Sequence, residues 1–451
     1  MDFRDVAAPA VDVETKKDIE AGIVGRIADD VISPVLISFV WWVLASAVKN
    51  GHKKLYFLAR DAYSMHRIAK RFCERFGLGM DCRYLHGSRL AWRSAAYSLV
   101  GDEKYDNIFS GGYLLTPRVI LERAMADAEQ RAAIYGDINK NNHSSRYALS
   151  NENYALSPAE MKAFAEKLKT SGVFGEYLDE LSNRQFRGAS MYLRQEGVFD
   201  GSDIAVVDSG WTGSIQRTLR QIAERSVRDP KITGYYFGLY AQSADTRDGA
   251  YETWYFGPKS RVSEMTNFNN NVFECMCACP SHMTSGYEFS GREGRYVPIF
   301  RDSGKNNFEM AELICDRIDK YSADFLSGSG MKFEDYSEKY LDMSKKILRR
   351  FMINPTKDEA EAFGRLTFCD DASDSYDGGL VCAVDKKYLK NYIAPRRFMQ
   401  KISKRKIPKE AAPDLFWLHG SLAASGIKRQ NRYRFNYKLW ETLRLIAKKR
   451  K

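Results

Sequence analysis

The chain of 451 residues is 44% hydrophobic, 28% charged and 13% aromatic, a composition that supports a large buried core and excludes a disordered, collagen-like or small disulfide-scaffold protein. The formal net charge of +11 sits at one end: residues 396–451 hold 17 Lys or Arg against 3 Asp or Glu, so the preceding residues sum to −3. A uniformly basic, nucleic-acid-coating protein is thereby excluded, and nothing in the body reads as a nucleic-acid recognition module.

The first twenty residues are charged and lack the apolar run of a signal peptide, and the eight cysteines show no framework spacing. A reducing, cytoplasmic setting is expected. The 18 uncharged residues 31–48 (VISPVLISFVWWVLASAV) reach the lower limit for spanning a bilayer. Ser33, Pro34, Ser38 and Ser46 dilute the run and a strand pattern follows at once, so it is read as a buried helix.

A strand at 54–59 (KLYFLA), a helix at 62–76 and a second strand at 82–87 (CRYLHG) then form a βαβ unit, whose crossover implies a parallel, buried sheet. Apolar residues recurring at three and four predict amphipathic helices over about 116–196, interrupted by an Asn- and Ser-rich loop at 137–153. A second βαβ unit follows: strand 203–208 (DIAVVD), a glycine-containing turn 209–214 (SGWTGS), helix 215–226 and strand 232–240. Residues 251–300 are aromatic and Asn-rich and read as an insertion or lid; helices resume over 308–352, and 370–379 reads as an acidic turn. The expected fold is α/β, with a Rossmann-like parallel sheet, a largely helical insertion and a basic helical C-terminal extension. Its parts would be 1–115 and 201–300 for the core, the latter with a lid-like segment, 116–200 for the insertion, 301–395 for a helical region and 396–451 for the extension.

Ligands of parallel sheets bind outside the carboxyl ends of strands, and three such ends carry polar residues here. After the strand at 203–208 come Asp208, Ser209, Gly210, Trp211, Thr212, Gly213, Ser214 and Gln216, running into a helix. A helix N-terminus offers free N–H groups and the positive end of its dipole, while glycines let an anion approach the backbone. The segment therefore reads as a phosphate cradle, with Thr212 and Ser214 as hydroxyl donors and Asp208 as a Mg²⁺ ligand or nucleophile. After the first strand, Arg60 could clamp a phosphate and Asp61 could hold metal or act as a base. Ser88 and Arg89, with Arg93, add donors and positive charge at the third strand end.

Glu274 and His282 are candidates for acid or base work in the lid-like region. Cys275, Cys277, Cys279 and His282 have a period of two, which points along one strand face and does not suit a zinc site. Asp370 and Asp371 read as an acidic loop. At the end of the chain, 431–451 interleaves Phe435, Trp440, Leu443, Leu445 and Ile446 with cations, a pattern that can lie on an anionic membrane.

The motifs YFLARDAYSM (56–65), YLHGSR (84–89), VVDSGWTGSIQ (206–216) and WLHGSLAASG (417–426) together resemble bacterial haloacid-dehalogenase-like hydrolases associated with capsule and other surface-polysaccharide synthesis, over roughly 25–426. The resemblance implies an enzyme acting on a phosphorylated or nucleotide-linked sugar with Mg²⁺. The chain departs from the hydrolase pattern DxDx(T/V), because Gly210 stands where the second Asp, the general acid, belongs; His282 could supply the missing acid. Thr212-Gly213-Ser214 after an acid also resembles, in shortened form, the phosphoribosyltransferase loop that cradles a ribose phosphate, with 59–61 at the position of its pyrophosphate loop. An alternative of another class is a membrane-peripheral adaptor of a polysaccharide assembly complex, with a degenerate pocket.

Overall fold

The computed structural model describes residues 13–109, 115–140, 147–201, 203–241, 250–277, 279–302, 307–328, 330–368, 378–384, 389, 416–428 and 430–449. Helices α1 (Val13–Ile27) and α2 (Ser33–Lys49) run together through a π turn at Ala28–Ile32, followed by β1 (Lys54–Leu58), α3 (Tyr63–Phe76), β2 (Asp81–Leu85), α4 (Arg89–Ala96) and α5 (Glu103–Phe109). Four more helices come next: α6 (Pro117–Arg123), α7 (Ala128–Asn139), α8 (Pro158–Thr170) and α9 (Gly172–Gln195). The chain returns with β3 (Ile204–Trp211), α10 (Ser214–Ala223), β4 (Ile232–Leu239) and β5 (Ala250–Phe256). After α11 (Val262–Thr266) and α12 (Asn270–Met276), β6 (Met283–Ser290) and β7 (Arg295–Arg301) form an antiparallel hairpin. The remainder comprises α13 (Phe308–Leu326), α14 (Glu338–Ile353), α15 (Lys357–Phe363), a two-residue ladder of β8 (Thr367–Phe368) with β9 (Gly378–Gly379), α16 (Leu418–Ser425) and α17 (Gln430–Lys449).

The first five strands form one parallel sheet in the order β2-β1-β3-β4-β5, the expected α/β, Rossmann-like arrangement. Alternation within each strand feeds two cores. Leu55, Phe57, Ala205, Val207, Tyr235 and Phe237 face a cluster shared with α2, α3, α13 and α14, whereas Tyr56, Leu58, Ile204, Val206 and Ile232 face one shared with α4, α9 and α10. With both faces covered, the strands can be apolar throughout. The helices between α5 and α9 close a third cluster of their own around Phe164, Phe174 and Leu178.

The run at 31–48 belongs to the first core. Lys17–Lys49 is apolar and long enough to cross a membrane by length and composition, yet 78% of its most apolar window is buried inside the fold. Trp41 shows why: its Nε1 donates to Phe333 O at 2.8 Å, and its ring meets Phe72 at 5.6 Å and Tyr340 at 5.1 Å.

Several sequence boundaries shift. The loop expected at 137–153 begins only after α7, whose last turn reaches Asn139; residues 141–146 lie outside the described residues, and Leu149–Asn151 is a 3₁₀ turn. The segment at 251–300 is not wholly a lid, because β5 joins the main sheet beside β4 as its edge strand. Asp370 and Asp371 fall outside the described residues. The Trp41→Ala variant is expected to lose about 3–5 kcal/mol of stability, the usual cost of emptying a large buried aromatic site. Urea unfolding would measure it, and a loss under about 1 kcal/mol would contradict Trp41's place at the centre of this core.

Candidate functional site

The strand order reverses direction between β1 and β3, which are hydrogen-bonded neighbours although far apart in sequence. Their following helices, α3 and α10, pack on opposite faces of the sheet, so a crevice opens between the two carboxyl ends. A cleft of about 240 Å³ lies there. Its wall contains Arg60 and Asp61 from the end of β1, Ser88 and Arg89 from the start of α4, Asp208 to Thr212 from the end of β3, Ser214 from α10, and Glu274 from α12. Strand-end residues separated by almost 150 positions thus line one cavity.

Two carboxylates dominate it. Asp208 is only 8% exposed, and burial together with the negative charge of Asp61 pushes its carboxyl well above the usual range. The backbone N–H groups of Ser209 and Gly210 donate to it and oppose this shift. Burial likewise raises Asp61, against the hydroxyl of Ser209, which donates to its carboxylate, and the charges of Arg60 and Arg89.

The phosphate cradle read from the sequence is differently built. β3 continues through Ser209, Gly210 and Trp211, so the turn is confined to Thr212 and Gly213. Gly210 has φ +130° in this strand, and a Cβ there would sit 1.9 Å from the carbonyl oxygen of Gly238 on β4. No side chain fits at 210. This close approach of β3 to β4 excludes an aspartate, like any other side chain, from this position. Trp211 packs against Phe268 and Phe273 and donates from Nε1 to Glu274 Oε1 at 2.6 Å, holding that carboxylate at the cleft wall. Its ring is half-buried and part of the core packing.

Gly213 is the N-cap of α10, in the left-handed region at φ +69°, and makes no side-chain cap. The first N–H groups of this ten-residue helix therefore have no capping oxygen from that residue. Beside them, Arg93 Nη2 lies 3.4 Å from Ser214 Oγ. Arg89 and Arg93, one turn apart on α4, form no ion pair among the described residues. Burial and the charge of Arg89 push Arg93 down to about 10. Guanidinium groups beside a helix N-terminus that has no side-chain cap are the elements of an anion site. A second recess of about 160 Å³ on the far side of Thr212 and Ser214 holds Asn107 and the Arg217–Glu103 pair at 2.7 Å.

Three expected residues have other duties. Gln216 is buried; its amide donates to Ile232 O and Ala250 O, both at 3.1 Å, and accepts from Tyr236 Oη at 2.7 Å, tying α10 to β4 and β5. Ser88 caps α4, accepting from Ala91 N and donating to Thr284 O at 2.6 Å, so its hydroxyl hydrogen is committed although it borders the cleft. His282 does not line the cleft; its ring packs on Phe308 and its Nδ1 lies 3.8 Å from Asp302. The cysteines do not share one strand face: Cys275 lies in α12 and Cys277 is its C-cap, both buried, and Cys279, beyond the helix, lies within reach of Ser281. The sequence reading missed Met283 in the cleft wall and the role of Gly238, whose only signal was a glycine late in an apolar strand.

Buried, mutually repelling carboxylates are a donor set that a divalent cation would relieve, and Mg²⁺ is often held by one or two carboxylates plus substrate phosphate. Among the described residues no group of three or more metal-binding side chains occurs, so phosphate oxygens and water would complete such a shell around Asp61 and Asp208. A scan against protein-family models and a search of curated proteins both give no match.

The raised carboxyls set a sign for stability. Between the ordinary carboxylate range and their raised values, the native state binds more protons than the unfolded chain, so stability falls as pH rises through that window. Asp208→Asn is expected to stabilise the empty protein at pH 8 by on the order of 1 kcal/mol and to change little at pH 4. Denaturant unfolding at both pH values would measure this, and equal or lower stability at pH 8 would overturn the assignment of Asp208 as a buried, strained acid.

Proposed function

We propose that this protein is an enzyme acting on a phosphorylated or nucleotide-linked sugar, by hydrolysis or transfer at its phosphate-bearing position. The observation that carries the reading is the convergence of Ser214 at the α10 N-terminus, the guanidinium groups of Arg60 and Arg89, and the acids Asp61 and Asp208 on one cleft, with Arg93 beside it on Ser214 Oγ. The sugar and its setting in surface-polysaccharide synthesis rest on the sequence resemblance, and the cytoplasmic compartment rests on the scattered cysteines.

In this mechanism the α10 N–H groups and the hydroxyls of Thr212 and Ser214 take the phosphate, and Arg60 and Arg89 neutralise it. Mg²⁺, if bound by Asp61 and Asp208, would supply charge stabilisation for a departing phosphate. Asp208 and Asp61 hold a proton at low pH and lose it readily when positive charge arrives, which suits one of them to accept a proton from a nucleophile. The bare backbone at Gly210 favours breaking a sugar–phosphate bond whose leaving group is itself a phosphate, because such a group departs without the protonation that an alkoxide needs. For the same reason a phosphoribosyltransferase-like transfer is the favoured second reading.

Ligand binding to the native state raises apparent stability by about 2.7 kcal/mol at a hundredfold excess over Kd. Thermal unfolding with Mg²⁺ and a panel of sugar phosphates, nucleotide sugars and phosphoribosyl pyrophosphate should show a shift confined to one ligand class, and Asp208→Asn should remove turnover of that ligand by at least a hundredfold while remaining folded. No shift with any member, or full activity in Asp208→Asn, would overturn the enzymatic reading and leave the adaptor alternative.

A further inference from the structure

The helix α17 carries a bare apolar stripe. Phe435, Leu439, Leu443 and Ile446 are spaced by four, four and three residues, which stacks them on one face, and each is between 37% and 66% exposed. The opposite face is anchored: Leu445 is buried in the main core, Arg434 Nη1 donates to Asn354 Oδ1 at 2.5 Å, and Tyr437 packs edge-on against His419 at 6.1 Å. The helix is therefore fixed to the body by one side and presents the other, about 30 Å long for its 20 residues, to whatever surrounds the protein.

Charge decides what fits that face. The helix holds six Lys or Arg and one Glu, and the glutamate is already paired with Arg444 at 2.6 Å. Arg432 and Lys438 are exposed next to the apolar stripe, and Lys428 is exposed just before the helix. Nucleic acid would engage the cations and leave four large apolar side chains in water. A second copy would bring the same cations together, at an electrostatic cost. An anionic bilayer satisfies both features, because its headgroups meet the basic flanks while its acyl boundary receives the apolar stripe.

We infer that α17 is an interfacial helix that docks the protein onto anionic lipid, with Phe435, Leu439, Leu443 and Ile446 inserted and Arg432 and Lys438 at the headgroups. This inference is independent of the chemistry proposed for the cleft.

The test is flotation of the full chain with vesicles of phosphatidylcholine alone and of phosphatidylcholine and phosphatidylglycerol in a 3:1 ratio. The expected result is co-flotation with the anionic vesicles, weakened at 0.5 M salt, and at least tenfold less partitioning to neutral ones. The double variant Leu439→Glu and Leu443→Glu should lose at least tenfold of the binding, and Arg432→Glu with Lys438→Glu should lose most of its anionic preference. All four positions are exposed, and thermal unfolding checks that each variant stays folded. The inference is overturned if the wild type floats with neither vesicle, or if both variants float as the wild type does. It is equally overturned if light scattering shows a wild-type dimer that the Leu variant dissolves, or if a duplex oligonucleotide at equal charge displaces the vesicles.

Discussion

Two carboxylates buried between adjacent strand ends are the constraint around which the rest of this structure is arranged. Asp61 follows β1 and Asp208 ends β3, and each raises the cost of ionising the other. Such a pair destabilises the empty protein unless donors and cations offset it. The offsets are local: the Ser209 hydroxyl on Asp61, two backbone N–H groups on Asp208, and the guanidinium groups of Arg60 and Arg89. Because the β1–β3 pairing sets the spacing of the two acids, the sheet order itself is part of the site's electrostatics.

The cost is borne by an extensive core. Both faces of the sheet are covered, and the first cluster alone spans residues from α1 to α17. The long apolar helix α2 gains its stability by burial against α3 and α14, with Phe39 interlocked with Phe237 and Trp254 and Trp41 with Tyr340. Strand ends held this firmly can keep groups in an unfavourable ionisation state, which a loop with few neighbours could not.

The sequence made the sheet legible because alternation is a physical requirement there. Phe57 and Val207 face one core, Tyr56 and Val206 the other, and the apolar runs KLYFLA and IAVV could satisfy two covered faces only as central parallel strands. Asp61, Arg60, Asp208 and Thr212 were legible as neighbours for the same reason: each follows a buried strand, and parallel strands bring their ends to one edge. What failed was whatever depended on contacts between distant elements. Gln216 has the residue type of a ligand contact, but its amide is consumed by carbonyl oxygens of residues 232 and 250, and no local pattern announces that. His282 reads as an acid near the site, yet the hairpin that follows directs it toward Phe308 and Asp302. Ser209, Gly210 and Trp211 read as a turn because glycine and serine usually make one, whereas pairing with Gly238 and Leu239 keeps them in the strand.

The glycine at 210 then acquires a meaning that composition could not give it. With its Cβ position occupied by the Gly238 carbonyl, the residue is a consequence of how closely β3 approaches β4. Its neighbour Trp211 extends the same constraint outward. Its ring lies 6.1 Å from Tyr240, while its indole N–H holds Glu274 in the cleft wall. Trp211 therefore ties the cleft wall to the aromatic packing of Tyr240 and Phe256 at the ends of β4 and β5. The indole that fixes Glu274 in the cleft wall is thus itself held by core aromatics, so that carboxylate is positioned by packing across β3, β4 and β5.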